Sequence, residues 1–85
     1  MENYELLIKP SAVRELEALP SRARGRVVGR IESLARDPLT RGCEKLTGKE
    51  QFRVRQGDLR ILYSLDDGAR TVTVVKIGHR RDVYR

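Results

Sequence analysis

The sequence lacks tryptophan, has one cysteine and one histidine, and contains no long run of apolar residues. A lone Cys43 excludes an internal disulfide and, beside a single histidine, argues against a structural zinc site. No stretch approaches the roughly 20 apolar residues that span a bilayer, and no hydrophobic signal segment follows Met1. We therefore expect a cytoplasmic chain with no membrane partner, no metal and no cofactor, in which Cys43 is a semi-buried filler.

Positively charged residues, by contrast, are abundant. Lys and Arg number 18 against 12 Asp and Glu, which gives a net charge of +6. This balance favours an anionic partner, of which nucleic acid is the commonest. With 85 residues and 39% apolar residues, the chain is long enough for one small core, so we expect a single domain over 1–85 with surface that a partner could cover.

The first half of the chain has the periodicity of one strand and two helices. Residues 4–9 include Leu6, Leu7 and Ile8 and precede Pro10, which predicts a short buried strand ended by proline. A helix is predicted over 11–19, and Ser21 can cap a second helix that runs to about Arg36. The apolar stripe of the second helix is Val27, Val28, Ile31, Leu34 and Ala35. The arginines on its other face are interpreted as solvated side chains rather than RNA contacts.

The second half predicts a loop over 39–50 and then three strands, over 51–56, 59–65 and 71–77. Tight turns at Gly57-Asp58 and Asp66-Asp67-Gly68 separate these strands. The element order β-α-α-β-β-β predicts an α+β fold. Its small, antiparallel-rich, four-stranded sheet would carry the N-terminal helical hairpin on one face.

Strict alternation in the first two of these strands sorts apolar residues from arginines. If Phe52, Val54 and Tyr63 pack under the helices, the pleat carries Arg53, Arg55 and Arg60 to the open face. Guanidiniums collected on one surface repel one another, and the nearby sequence supplies only Asp58 to offset them. An anion is therefore expected on this face, and we interpret Tyr63 as a core residue.

The last residues, His79 to Arg85, combine an imidazole, three guanidiniums and a phenol directly after the final strand. Guanidiniums hold phosphate oxygens through paired hydrogen bonds, and an imidazole exchanges protons near neutrality. We therefore expect the tail to complete the site on the sheet.

In these features the chain resembles the RelE toxins of the RelE/ParE superfamily, which are toxin–antitoxin ribonucleases. The resemblance covers nearly all of the chain and rests on the element order and on four segments taken together. These are Lys45-Leu46 with Gly48, Phe52-Arg53-Val54-Arg55, Leu59-Arg60-Ile61-Leu62-Tyr63, and Ile77-Gly78-His79-Arg80-Arg81-Asp82-Val83-Tyr84.

The resemblance implies metal-independent, ribosome-dependent cleavage of mRNA, which arrests translation, and inhibition by a cognate RelB-like antitoxin. In that chemistry the ribose 2′-hydroxyl attacks the adjacent phosphate and leaves a cyclic phosphate and a free 5′-hydroxyl. The family pattern maps catalytic positions onto Arg53, Arg55, Arg60, Arg80 and Tyr84. For substrate binding we expect Lys45, Arg53, Arg55, Arg60 and Arg81.

One departure from the family concerns proton transfer. The best-known members have lysines where this chain has Arg53 and Arg55, and an arginine, which keeps its proton near neutrality, acts as a clamp rather than a base. Acid–base work then falls on His79 or Tyr84. His79 has the alternative of an exposed tail residue, and Tyr84 that of a packing aromatic.

Two further functions stay open at this point. The ParE branch of the superfamily has the same fold and poisons DNA gyrase, and a basic sheet could also bind RNA or the ribosome without cutting. The arginine pair with Arg80 and Tyr84 favours the nuclease.

Overall fold

Two helices and five strands make up the part of the chain that the structure, a computed structural model, describes, namely residues 3–46 and 51–79. In chain order they are β1 (Glu5–Ile8), α1 (Pro10–Glu17), α2 (Ser21–Arg36), β2 (Glu44–Lys45), β3 (Gln51–Gln56), β4 (Leu59–Asp66) and β5 (Thr71–His79). The α+β class and both predicted helices are confirmed. Among the described residues, neither helix is both long and apolar enough to cross a lipid bilayer.

The strands form one sheet in the order β1-β5-β4-β3-β2, with β1 parallel to β5 and the other pairs antiparallel. The prediction of four strands is wrong by one, because β2 lies within the segment expected to be a loop. A strand of two exposed, charged residues has no alternation from which it could be predicted. β2 nevertheless matters for the site, since it forms the edge of the sheet beside β3.

The core lies between α2 and one face of the sheet. Val27, Ile31 and Leu34 of α2 are fully buried, as the stripe predicts, whereas Val28 remains exposed. From the sheet, the core receives Phe52, Val54, Leu59, Ile61, Tyr63, Leu65, Val72, Val74 and Ile77. Burying one face of β3 and β4 in this way directs the alternate residues of both strands away from the helices.

Tyr63 sits at the centre of this core, as predicted. Its ring stacks on Phe52 with centroids 5.7 Å apart, and its hydroxyl donates a hydrogen bond of 2.5 Å to the backbone oxygen of Pro38. Burial, with a smaller effect from nearby Cys43, raises the pKa of Tyr63 far above its ordinary value. The phenol is therefore a permanent donor that ties the segment after α2 to the sheet.

The β3–β4 hairpin turns in two residues, Gly57 and Asp58, and pairs Gln56 with Leu59. Gly57 has a φ of 61°, a left-handed conformation that glycine adopts without a Cβ clash. Since a two-residue turn allows one register only, it also pairs Arg55 with Arg60.

The β4–β5 ladder contains a bulge. Leu62 pairs with Lys76 and Tyr63 with Val74, so Val75 is an extra residue that opposes no partner on β4. One extra residue reverses the facing of everything after it. As a result Ile77 enters the core, Lys76 stays out of it, and Gly78 lies opposite Arg60.

Candidate functional site

Three arginines share the sheet face that points away from the helices, which we call the arginine face. Arg53 and Arg55 come from β3, and Arg60 comes from β4. Arg55 and Arg60 are direct cross-strand neighbours, and like charges in that position repel each other. Within residues 3–46 and 51–79, neither of these two guanidiniums forms an ion pair. The pair therefore favours an anion between or above its two side chains.

The three arginines differ in exposure, which corrects the expectation of a common open face. Arg55 is exposed, Arg53 is half-buried, and Arg60 is only 6% exposed. Arg60 lies on β4, which is flanked by β3 and β5. By contrast, β3 has β4 on one side and no more than the two-residue β2 on the other. The one hydrogen bond described for Arg60 is long, from Nη1 to the oxygen of Leu59 at 3.4 Å.

A buried guanidinium makes the arginine face electrostatically strong. An arginine keeps its charge even when it is desolvated, and an uncompensated buried charge is costly. Electrostatic attraction also gains strength where water is excluded. An anion next to Arg60 would therefore be stabilised more than one beside Arg55 alone.

A carboxylate, that of Glu44 on β2, already lies on this face. The register pairs Glu44 with Arg53, and Nη2 of Arg53 is 2.6 Å from Oε2 of Glu44. The hydrogen bond from Arg53 lowers the pKa of Glu44, with further contributions from the charges of Arg53, Arg55 and Arg60. All three arginines thus stabilise a negative charge at the position of Glu44.

Glu44 is the site residue that the sequence analysis missed. Its role depends on β2, which no sequence pattern predicts, and on the pairing of Glu44 with Arg53. The only hint in the sequence is the presence of two acidic residues, Glu44 and Glu50, shortly before an arginine-bearing strand. Without the strand register, this hint does not show which face of the sheet the carboxylate occupies or which arginine it contacts.

Lys45 was expected to bind substrate, but its position differs from that of the arginines. It pairs with Phe52, a core residue, so the register assigns it to the opposite side of the pleat. Neighbouring residues on a strand point to opposite faces. Glu44 therefore occupies the arginine face in the place where Lys45 was expected to contribute.

His79 is also separated from the arginine face, contrary to the expectation of a shared site. It pairs with the core residue Leu59, and it lines a crevice of about 260 Å³ on the helix side of the sheet together with Arg26, Gln56 and Asp58. The bulge at Val75 is the cause, because an unbroken alternation from Val72 and Val74 would have directed His79 to the arginines.

The remaining predicted site residues, Arg80, Arg81 and Tyr84, lie outside the described residues. Lys76 lies on the arginine face, where Leu62 stands between it and Arg53 in the strand register. Its Nζ is 3.9 Å from a carboxylate oxygen of Glu15. The same carboxylate accepts a hydrogen bond of 3.0 Å from the backbone N–H of Ile77, which ties α1 to β5 close to Gly78.

This arrangement suits charge stabilisation better than proton transfer. Guanidiniums bind phosphate oxygens in a paired geometry and stabilise negative charge that develops in a transition state. They do not serve as bases near neutrality. The described part of the arginine face can therefore hold and polarise a phosphodiester.

Comparison with known proteins agrees with this fold along nearly the whole chain. A family model described as ParE toxin of type II toxin-antitoxin system, parDE, matches residues 6–84. The chain is similar to toxin RelG of Mycobacterium tuberculosis, with 36% identity over 86 residues, covering 96% of this chain and 97% of that toxin.

Solved structures extend the similarity. A chain of the toxin-antitoxin complex RelBE2 from M. tuberculosis superposes with a TM-score of 0.81 and 33% identity, covering 92% of this chain and 99% of that one. A chain of the intact E. coli RelBE complex superposes with a TM-score of 0.78 and 22% identity, covering 89% of this chain and 95% of that one. At this level of identity the similarity is one of fold alone.

Proposed function

The chain belongs to the RelE/ParE superfamily of toxins from type II toxin–antitoxin systems, and we propose that it is a ribosome-dependent mRNA endoribonuclease that arrests translation. The observation that carries this proposal is the direct pairing of Arg55 with the buried Arg60 on one face with Arg53. Such a cluster supports binding of a phosphodiester and stabilisation of the charge that accumulates on it during cleavage.

In the proposed reaction the 2′-oxygen of a ribose forms a bond to the adjacent phosphorus, and the bond from phosphorus to the 5′-oxygen breaks. The 2′-hydroxyl gives its proton to a base, and the leaving 5′-oxygen takes one up. The products are a 2′,3′-cyclic phosphate and a free 5′-hydroxyl. Arg55 and Arg60 stabilise the added negative charge of the five-coordinate phosphorus, and Arg53 holds a phosphate beside it.

For the proton transfer we favour Tyr84 over His79. The position of His79 on the helix side of the sheet supports this preference, since a general base must come within hydrogen-bond reach of the hydroxyl that it deprotonates. Tyr84 has the family precedent as a terminal-region tyrosine. Arg80 and Arg81 would contribute further phosphate contacts, and no metal would be required.

A cognate RelB-like antitoxin is the proposed inhibitory partner. Related toxins are found in RelBE complexes, and the toxin surface here has exposed apolar side chains, among them Leu7 and Leu39 at 46% and 56% exposure. A partner that folds on the toxin could cover both this apolar surface and the cationic one. Since the substrate would be mRNA on the ribosome, the proposed site of action is the cytoplasm.

The deciding experiment is toeprinting and end analysis of mRNA on a programmed ribosome. The purified chain should cut the message and leave a 2′,3′-cyclic phosphate, with full activity after the chain alone has been treated with EDTA and returned to ribosome buffer. Arg55→Ala should slow single-turnover cleavage by roughly 100-fold, the scale on which losing a donor to a charged transition state acts.

Arg22→Ala, which removes the same charge from the exposed surface of α2, is the matched control and should cleave at the parent rate. Loss of cleavage by the EDTA-treated chain, or equal rates for the Arg22 and Arg55 variants, would contradict the proposal.

The family match supports a second candidate function, the inhibition of DNA gyrase, because the description of the matching family model names the ParE toxin of parDE systems. Inhibition of gyrase would appear as loss of negative supercoiling in a purified gyrase assay, with ribosome-bound mRNA left intact. A toxin that only binds RNA or the ribosome would arrest translation without new RNA ends.

A further inference from the structure

Glu44 brings a negative charge into a site that is otherwise suited to phosphate. Its carboxylate contacts Arg53 at 2.6 Å, a distance typical of the charge-assisted hydrogen bonds that arginine also makes with phosphate. The carboxylate therefore uses a guanidinium edge that an RNA phosphate would need. RNA phosphate and Glu44 cannot both occupy that edge without repelling each other.

We infer that Glu44 is an internal competitor for the arginine face, holding Arg53 until an RNA phosphate displaces it. This inference rests on the proposed function, since it takes RNA as the incoming anion. It assigns Glu44 a role in specificity, not in the chemical step. Glu44 would raise the threshold for RNA binding while leaving the other arginines in place.

The position of Glu44 on the sheet allows it to be displaced. β2 is an edge strand of two residues, and both are exposed. The side chains of Arg53 and Glu44 are 32% and 55% exposed, so the ion pair can open into solvent without uncovering the core. Exposed pairs of this kind contribute little to stability, and a better anion can therefore replace one partner.

The electrostatic surroundings strengthen the competition. Arg55 and Arg60 also stabilise the Glu44 carboxylate, and their charges contribute to the lowering of its pKa. A phosphate that binds between these arginines takes over that stabilisation and repels Glu44. A phosphate on Arg55 and Arg60 thus assists the displacement of Glu44, while the direct contact with Arg53 remains the main site of competition.

The functional consequence is discrimination between free and presented RNA. A fixed penalty for displacing Glu44 weakens binding of any RNA, but an RNA held on a ribosome has a high effective concentration and overcomes that penalty. Free RNA at low concentration does not. Glu44 would in this way favour cleavage of the message in its ribosomal setting.

The test compares Glu44→Gln with Glu32→Gln in the full chain, because both remove one exposed negative charge and Glu32 lies on α2 away from the arginine face. The probe is a short 2′-O-methyl RNA oligonucleotide, which lacks the attacking hydroxyl and is not cut. Fluorescence anisotropy over a salt series gives its Kd. Glu44→Gln should bind roughly threefold or more tightly than Glu32→Gln, the scale expected for removing an exposed ion-pair competitor.

A double-mutant cycle identifies the route. In an Arg53→Gln background, Glu44→Gln should lose most of its effect, since the competed edge is gone. Equal affinities for the Glu44 and Glu32 variants would overturn the inference. Weaker binding by Glu44→Gln would do so too, because Glu44 would then position Arg53 for the substrate, and so would absence of binding by every variant.

The outcome is independent of the cleavage assay. Ribosomal cleavage with no difference between the Glu44 and Glu32 variants rejects the inference and leaves the nuclease intact. Tighter binding by Glu44→Gln, without cleavage of ribosome-bound mRNA, supports the inference and rejects the nuclease.

Discussion

Arg60 has an environment that differs from that of the other arginines on its face. Its side chain is 6% exposed, and it stands between Arg55 on β3 and the side-chain-free Gly78 on β5. A planar guanidinium offers several donors in a fixed arrangement, whereas an ammonium is a point charge that loses its proton more readily when buried. The identity of this residue therefore matters more than its charge.

Arg60→Lys should consequently slow cleavage much more than the same change at exposed Arg55. We expect a loss of roughly 100-fold for Arg60→Lys in single-turnover cleavage on pre-bound ribosomes, as for removal of a donor to the transition state. Arg55→Lys should lose clearly less, because solvent keeps that ammonium charged. Equal losses would mean that burial of Arg60 has no catalytic consequence.

Substitutions of single residues also distinguish the two candidate proton acceptors, His79 and Tyr84. His79→Gln should retain both the cleavage rate and its pH profile, since the imidazole lies on the helix side of the sheet. Tyr84→Phe should lose roughly 100-fold, the usual scale for one acid–base group. The measurement is single-turnover cleavage between about pH 6 and 9, a range that includes the ordinary histidine pKa near 6.5. A rise of the cleavage rate with pH that disappears in His79→Gln would restore the imidazole as the base.

At the scale of elements, the β3–β4 turn and the β5 bulge align the site. The turn at Gly57 sets the register that brings Arg55 opposite Arg60. The bulge at Val75 shifts the following residues by one, so that Gly78 and not Ile77 faces Arg60. Each device involves one or two residues, yet each determines which side chains meet on the arginine face.

Gly57→Ala should destabilise the fold by about 1 kcal/mol, the cost of a left-handed conformation for a residue with a Cβ. Apart from the two adjacent residues, no atom of the described part of the chain lies within 4 Å of the added Cβ, so the cost is one of backbone conformation and not of collision. Gly68→Ala in the other hairpin is the control, because Gly68 does not have a positive φ. Urea denaturation measures both, and equal stabilities would contradict a strained turn.

At the scale of the whole molecule, the sheet separates two surfaces of different character. One side carries the helices, where Val13 and Val28 remain 36% and 37% exposed, and the other carries the arginines. A chain with a net charge of +6 and exposed apolar side chains gains stability from a partner that is both acidic and apolar. A RelB-like antitoxin has to supply both kinds of contact.

The toxin–antitoxin complex should therefore melt at a higher temperature than the toxin alone at equal concentration, since a ligand that binds only the folded state stabilises it. Differential scanning calorimetry of the co-purified complex provides the measurement. An unchanged Tm would reject the idea that the antitoxin covers these surfaces.

Local sequence pattern was sufficient for the helices, the longer strands and the common facing of the three arginines. The stripe of α2 and the alternation of β3 and β4 have periods that follow from backbone geometry, so they can be recognised without knowing any partner element. The turn at Gly57-Asp58 was predictable for the same reason, because glycine adopts the required φ.

Only tertiary structure decided which other residues join the arginines. β2 exists because Glu44 and Lys45 pair with β3, and this pairing brings Glu44 to Arg53 and carries Lys45 to the other side. The bulge at Val75 buries Ile77 and leaves Lys76 half-exposed, and the same shift moves His79 away from the arginines. A two-residue edge strand and a one-residue bulge are too short to produce a periodic pattern of apolar residues in the sequence, so neither can be recognised from it. Their energies come from burying an apolar residue and solvating a charged one, which are properties of the packed sheet.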